Sequence, residues 1–562
     1  ETLWRLLARD PTNNVEEGSM NRARGLLLVL SMLGLQACDS KNEIGSSRLT
    51  HADNSWYQQS ATQVEAHHEM IKKLSAKQGA AKNIILFVGD GMSIGTVTAA
   101  RILAGQQQGR SGEENSLSFG LFPFTGLAKT YNVNAQTPDS AGTMTAIISG
   151  VKTDFGVIGV DENIVRGDCA TQAGNELVTA LELAEIAGLS TGIVTTARIT
   201  HATPAATYAK SADRNWEDIS DMPEEAVAKG CEDIASQLVN FDTNLEARYE
   251  GVDIDGIDVM MGGGRRHFLP ADAPPNSDDA ESAGDRTDGR NLVIEWQAKY
   301  PAGSYIEGQQ GFSQVQIDST APLLALFAKS HMRYEADRKN NTRGEVSGEP
   351  SLTEMTSTAI DLLDNNPKGF FLMVESGRID HGHHAGSAFN ALTDAVEFSS
   401  AIQAAVDRTD AAETLIIVTA DHGHVFTMAG YPKRGNPILG KVVNVGTSEF
   451  AKDANGLPYT TLGYANGPGF HDFGDESNAD VVYSAKPFGG RTDLSAIDTK
   501  SSGFHQETLI PKIDETHSGE DVAIYASGPG AYLVSGTQEQ NAIFHIMNFA
   551  GGLVAKAQAA IE

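Results

Sequence analysis

Short runs of consecutive apolar residues, rather than alternating ones, dominate the chain from about residue 80 onward. Asn83–Val88 (NIILFV), Thr191–Thr196 (TGIVTT), Asp258–Met261 (DVMM), Gly369–Val374 (GFFLMV), Thr414–Thr419 (TLIIVT) and Asp521–Ala526 (DVAIYA) each predict a strand. Continuous hydrophobicity marks strands covered on both faces. Between them, stretches such as Asn175–Ala187 (NELVTALELAEIA) and Ala388–Asp407 carry helical spacing. The alternation predicts an α/β fold, a central mostly parallel sheet flanked by helices on both faces. From 428 to 515 the pattern dissolves into Gly, Pro, Asn and Ser before a strand-like segment resumes. That behaviour predicts an inserted subdomain, not a linker. No internal repeat is evident.

The N-terminal pattern is of another kind. Met20-Asn-Arg-Ala-Arg opens a basic region, and Gly25 to Gly34 (GLLLVLSMLG) is apolar but too short to span a bilayer. The run ends in Leu35-Gln36-Ala37-Cys38, which resembles a lipoprotein signal whose cysteine is acylated and becomes the mature N-terminus. Residues 1–19 read as translated upstream sequence, 20–37 as the signal, 38–54 as a polar tether and 55–78 as a helical arm. The expected location is therefore outside the cytoplasm, periplasmic or held to a membrane through Cys38.

Composition narrows the classes further. With 73 acidic against 42 basic residues, the formal net charge of −31 argues against binding a nucleic-acid backbone. Dispersed acidity of this kind fits a salt-tolerant protein, since carboxylates repel one another least when salt screens them. The most acidic stretch, NSDDAESAGDRTDGR at 276–290, is expected to be a solvated loop.

Metal-capable side chains follow several of the predicted strands. NIILFV runs into Asp90, TGIVTT into His201 and Thr203, and GFFLMV into Glu375, Asp380 and His384. TLIIVT runs into Asp421 and His422, and His517 stands just before DVAIYA. Carboxyl ends of strands in open α/β sheets line one crevice, so these segments are expected to converge. Mixed His and carboxylate donors suit zinc, and oxygen-only donors suit magnesium. Asp380, His384 and His517 form one mixed set and Asp421 with His422 a second; Asp90, Thr203 and Glu375 form an oxygen set. Ser140, in TPDSAGTMTAI (137–147), is either a helix cap or a nucleophile. A neighbouring cation that favours its alkoxide decides for the second. Two zinc ions about 4 Å apart would stabilise the entering and leaving oxygens of an in-line phosphoryl displacement.

These residues carry a resemblance to alkaline phosphatases. The matching segments are VGDGMSIGTVTAARIL (88–103), TPDSAGTMTAIISGVKT (137–153), TTARITHATPAATYAKSADRNW (195–216), MGGGRRHF (261–268), VESGRIDHGHHAG (374–386), TADHGHVFTMAGYPKRG (419–435) and THSGEDVAIYA (516–526). They occur in the family's order over roughly residues 80 to 550. The resemblance implies phosphate monoesters as substrates, a phosphoserine at Ser140, and two zinc ions with one magnesium. Arg214 matches the guanidinium that grips two phosphoryl oxygens, a bidentate fit. Asp380, His384 and His517 match one zinc site; Asp421, His422 and Asp90 match the other, with Asp90 bridging to a magnesium held by Thr203 and Glu375.

Two neighbouring positions, His201 and His381, resemble the branch that includes the animal enzymes, which carry histidine at both. The animal calcium site has Glu directly after a Phe; here Ala328 follows Phe327, so that site is not expected. The 428–515 stretch occupies the place of the family's crown subdomain, and 55–78 that of an arm that embraces the second subunit of a homodimer. Cys169 and Cys231 lie in contexts similar to the animal enzymes' disulfide, which implies a bond between them, with two buried free thiols as the alternative. Phosphodiesterases and other enzymes of related fold form the enzymatic runner-up. The sulfatase context is missing around Ser140. A lipid-anchored phosphate-binding protein is the non-enzymatic alternative, but it leaves so many metal-type donors around one serine unexplained.

Overall fold

The computed structural model describes residues 80–274, 284–340 and 348–562, together with six helical positions between 58 and 72. The signal, Cys38 and the tether lie outside the described residues, as does most of the 55–78 arm.

The chain forms β1 Asn83–Gly89, β2 Phe124–Lys129, β3 Ser190–Arg198, β4 Val259–Gly263, β5 Ser304–Ile306 and β6 Leu323–Leu326. Then come β7 Phe370–Ser376, β8 Thr414–Thr419, β9 Gly423–His424, β10 Phe426–Met428, β11 Leu462–Gly467 and β12 His471–Asp472. The last are β13 Phe504–His505, β14 Thr508–Pro511, β15 His517–Ser518, β16 Val522–Ser527 and β17 Gly536–Glu539. Ten of these strands build one sheet in the order β17-β2-β16-β8-β1-β7-β3-β4-β6-β5. Only β16 runs antiparallel to its neighbours β2 and β8 within that sheet. The mostly parallel α/β sheet expected from the apolar runs is the one observed.

All six expected strands form, with TLIIVT reproduced residue for residue as β8. Strands β1, β7 and β8 are buried along their whole length. One helical layer contains Ile94–Gln107, Leu352–Leu363 and Ala388–Arg408; the other contains Ser140–Ser149, Ala180–Ile186, Ala542–Gly551 and Leu553–Ile561. Each layer packs within itself and on the central strands, which is why those strands need apolar residues on both faces.

Two local expectations are corrected. The helix expected over Asn175–Ala187 forms only at Ala180–Ile186. Thr179 and Glu182 close a capping box there, while Glu176 bridges Val160 and the Leu177 amide bonds Gly159. The stretch 276–290 is not solvated throughout. In its described part Arg286 is 1% exposed and donates to Asp233 at 3.0 Å and to Asp288 at 2.6 Å, so this loop is pinned by a buried ion pair.

Within 428–515, β11 pairs antiparallel with β10 and parallel with β14, and β12 pairs with β13. Glycine, proline and asparagine leave the rest of this stretch in turns and short bridges.

Candidate active site

Parallel register sets the positions of the site. Val88 of β1 lies opposite Glu375 of β7 and Thr419 of β8, and Glu375 lies opposite Thr195 of β3. The residues just beyond these points, Asp90, Thr203, Asp380 and Asp421, therefore leave the sheet at one edge. The turn after β1 needs Gly91. Its φ is +66°, and a Cβ there would strike the His424 ring, while its amide donates to Asp421 Oδ1 at 3.0 Å.

The helix cap at Ser140 is supplied by its neighbour. The helix Ser140–Ser149 is capped by Asp139, whose Oδ1 accepts from the Gly142 amide at 3.2 Å and from the Gly156 amide at 3.1 Å. The serine hydroxyl is thus not used as a cap. It lies 3.0 Å from His422 Nε2, at a helix N-terminus whose amides favour an anion. Arg214 Nη1 donates to Asp139 Oδ2 at 2.9 Å, and its Nη2 faces His201 Nε2 at 3.2 Å. Aspartate 139 therefore joins the serine's helix to the arginine.

Three donor groups surround this serine. Asp380, His384 and His517 converge as expected: His384 Nε2 is 3.3 Å and His517 Nε2 3.5 Å from Asp380 Oδ1. Backbone carbonyls orient both rings, Glu515 O against His384 Nδ1 at 2.6 Å and Pro138 O against His517 Nδ1 at 2.8 Å. Such bonds leave the other ring nitrogen of each free to bind a cation. Asp90, Asp421 and His422 form the second group, with His422 Nε2 at 3.4 Å from Asp90 Oδ1 and 3.3 Å from Asp421 Oδ2. The third contains Asp90 and Glu375 with His201, and Thr203 is buried near it.

Electrostatics test whether these donors fit cations. Neither carboxylate oxygen of Asp90 has a hydrogen-bond partner, and Thr203 Oγ1, Glu375 Oε1 and His422 Nδ1 are likewise buried without one. Burial, reinforced by Asp421, Asp380 and Glu375, holds the Asp90 carboxyl well above its ordinary range. Burial also raises Asp421 and pushes Glu375 up to about 8. Asp380 goes the other way: burial would raise it, but His384 together with bonds from His384, His424 and His517 holds it well below. Buried polar atoms are normally satisfied, so orphaned carboxylate oxygens crowded together call for positive charge. The donor chemistry fits two mixed His/carboxylate sites and one oxygen site.

Three further residues belong to the site without a clear signal in the sequence. His424 joins Asp380, His384 and His517; its Nε2 is 2.8 Å from Asp380 and its Nδ1 2.5 Å from Glu515. Burial would lower its pKa, but Glu515 and Asp380 push it up to about 10. Its signal was the second histidine of TADHGH. Glu515 had no such signal, because it reaches the site from the irregular end of the 428–515 stretch. His331 packs against His381 at 4.0 Å between ring centroids and against His201 at 5.4 Å. Burial lowers the pKa of all three rings, which leaves them neutral. Cys169 and Cys231 form a disulfide with Cα atoms 6.1 Å apart, and the loop it closes contains His201, Thr203 and Arg214.

A serine at a helix N-terminus, an arginine beside it and buried His/carboxylate groups at the sheet edge define a metal-dependent hydrolase of phosphoryl groups. Residues 81–553 match the alkaline phosphatase family, and the chain belongs to it. It is 43% identical over 504 residues to the tissue-nonspecific alkaline phosphatase isozyme of Gallus gallus, covering 88% of each chain. Against the Homo sapiens isozyme the identity is 44% over 476 residues, covering 84% of this chain and 83% of the other. Among solved structures, Thermus thermophilus alkaline phosphatase superposes with a TM-score of 0.57 at 25% identity, covering 86% and 95%. The enzyme of the Antarctic bacterium TAB5 shares the fold, with a TM-score of 0.55 at 22% identity, covering 84% and 99%. The chain is a phosphoric monoester hydrolase.

Proposed function

We propose that this enzyme hydrolyses phosphate monoesters through a phosphoserine at Ser140. The observation that carries the reading is the hydroxyl of Ser140, released from capping by Asp139 and set 3.0 Å from His422. Arg214 binds two phosphoryl oxygens and is kept in position by Asp139. The Ser140 oxygen attacks phosphorus, the P–O bond to the ester group breaks, and the leaving alcohol takes up a proton. Water then attacks the phosphoserine, releasing phosphate and restoring the hydroxyl.

Asp380, His384 and His517 are assigned to one zinc ion, Asp421 and His422 with Asp90 to a second, and Asp90, Thr203 and Glu375 to magnesium. When bound, these ions supply Lewis-acid stabilisation of the oxygens that gain charge. His424 and Glu515 hold Asp380 in place, and His201 and His381 flank the phosphate site as neutral rings. The 428–515 stretch is assigned as a crown-like insert in a catalytic domain from residue 80, and the assembly as a homodimer. The N-terminal pattern supports export with acylation at Cys38. Among the described residues no helix is long and apolar enough to cross a membrane.

Replacing the nucleophile is the test. Ser140→Ala, incubated with a ³²P-labelled monoester and quenched in acid, yields no phosphoprotein while its zinc and magnesium content matches wild type. A labelled phosphoenzyme in that variant removes Ser140 from the role.

A further inference from the structure

A cavity of about 340 Å³ opens beside the Cys169–Cys231 disulfide and shares no residue with the reaction centre. Its wall holds two cations on one carboxylate oxygen. Lys210 Nζ lies 3.0 Å from Glu182 Oε1, and the Arg248 guanidinium reaches the same atom. The other oxygen of Glu182 already accepts the Thr179 amide at 2.9 Å. Lysine 210 and Glu182 are both buried, with side-chain exposures of 7% and 1%. Beyond that ion pair the ammonium makes no hydrogen bond, although it carries three N–H groups. Glu182, Lys210 and Arg248 together thus carry one net positive charge, with Lys210 donors unspent.

Glu176 also acts on Lys210 through space and Glu232 lines the same wall, so the surplus is local to the Glu182 oxygen. Glu232 accepts from Asn240 at 2.6 Å and Asn244 at 2.9 Å, and Glu176 accepts the Gly174 amide at 2.8 Å. Lys229 is paired with Asp168 and Glu225. Phe241 and the disulfide give the cavity an apolar side. We propose that this cavity is a binding site for a small organic carboxylate, its head on Lys210 and Arg248 and its apolar body against Phe241 and the disulfide. A monoanion matches the local surplus of Lys210 and Arg248 over Glu182. A phosphoryl dianion would exceed it in a cavity that Glu176 and Glu232 also line. The volume suits a ligand at the small end of the pocket range. Burial pulls the Lys210 pKa down to about 8, and a bound carboxylate would restore the ammonium.

The probe is sodium benzoate, titrated by calorimetry into metal-loaded enzyme whose reaction centre is saturated with inorganic phosphate. Benzoate is expected to bind saturably, with benzamide and benzylamine each at least about ten-fold weaker. Lys210→Met and Arg248→Gln should each lower benzoate affinity by about ten-fold or more. If Lys210→Met does not fold, Arg248→Gln decides alone, because that side chain is 26% exposed and tolerates replacement. The proposal is overturned by no saturable binding to wild type, by benzamide binding as tightly as benzoate, or by undiminished affinity in the folded variants.

Discussion

Two clusters of histidine and carboxylate in this chain have nearly the same donors and opposite electrostatics. At the sheet edge, both oxygens of Asp90 are buried without a hydrogen-bond partner, and burial with neighbouring carboxylates drives its pKa up. At Asp218, Asp221 and His267 the donors also lie close enough to hold a metal, yet the chain satisfies them itself. His267 Nδ1 meets Asp218 at 2.6 Å and its Nε2 meets Glu217 at 3.2 Å. Glu217 also accepts from Thr200 at 2.6 Å and from Arg198 Nε at 2.8 Å. Burial would raise Glu217 and Asp218, but Arg198 holds the first well below its usual range and the His267 bond lowers the second. Donor count alone does not mark a cation site. Unspent buried acceptors are the better sign, because a bound cation would satisfy several of them at once.

Removing divalent metal should separate the clusters most sharply. Dialysis against EDTA is expected to cut p-nitrophenyl phosphate hydrolysis by about a thousand-fold or more, with zinc and magnesium together restoring it. Full activity after chelation would break the distinction. An intermediate case is Lys210, whose single ion pair leaves burial dominant. Its folded pKa is about 8 against an ordinary 10.5, so between those values the unfolded chain holds a proton the folded chain has lost. Stability should therefore rise with pH across that window and not vary with pH through this group below it. Relative to Lys210→Met, wild type should gain up to roughly 3 kcal/mol between pH 8 and 10.5 in urea unfolding. Parallel pH profiles for the two proteins would contradict the burial argument. The smallest effect belongs to the self-satisfied cluster. His267→Gln is expected to cost about 1–2 kcal/mol of stability and no bound metal, read by unfolding and by elemental analysis.

Legibility from sequence followed the same physics. β1, β3, β4, β7, β8 and β16 were readable because burial on both faces demands continuous apolar runs. β2 mixes buried and half-buried positions, and β5 and β17 are short strands at the two ends of the sheet. Their signals are weak. β6, Leu323–Leu326, is fully buried and was missed because four residues give little periodicity to read. At the site, residues that directly follow strong strands were legible, as with Asp90, Asp421 and His422. At Ser140 the cap role falls to Asp139, whose side chain takes the amide. Glu515 and His331 are not legible because they enter from loops, where no pattern reports what a side chain will meet.

The central claim is that the orphaned acceptors at the sheet edge, and not the paired ones at His267, hold metal. Anomalous diffraction from crystals grown with zinc and magnesium, recorded on both sides of the zinc edge, tests it directly. Peaks are expected between Asp380, His384 and His517 and beside Asp421 and His422, with none at Asp218, Asp221 and His267. A zinc peak at His267, or bare density among Asp90, Asp380 and Asp421 in active crystals, would contradict the account.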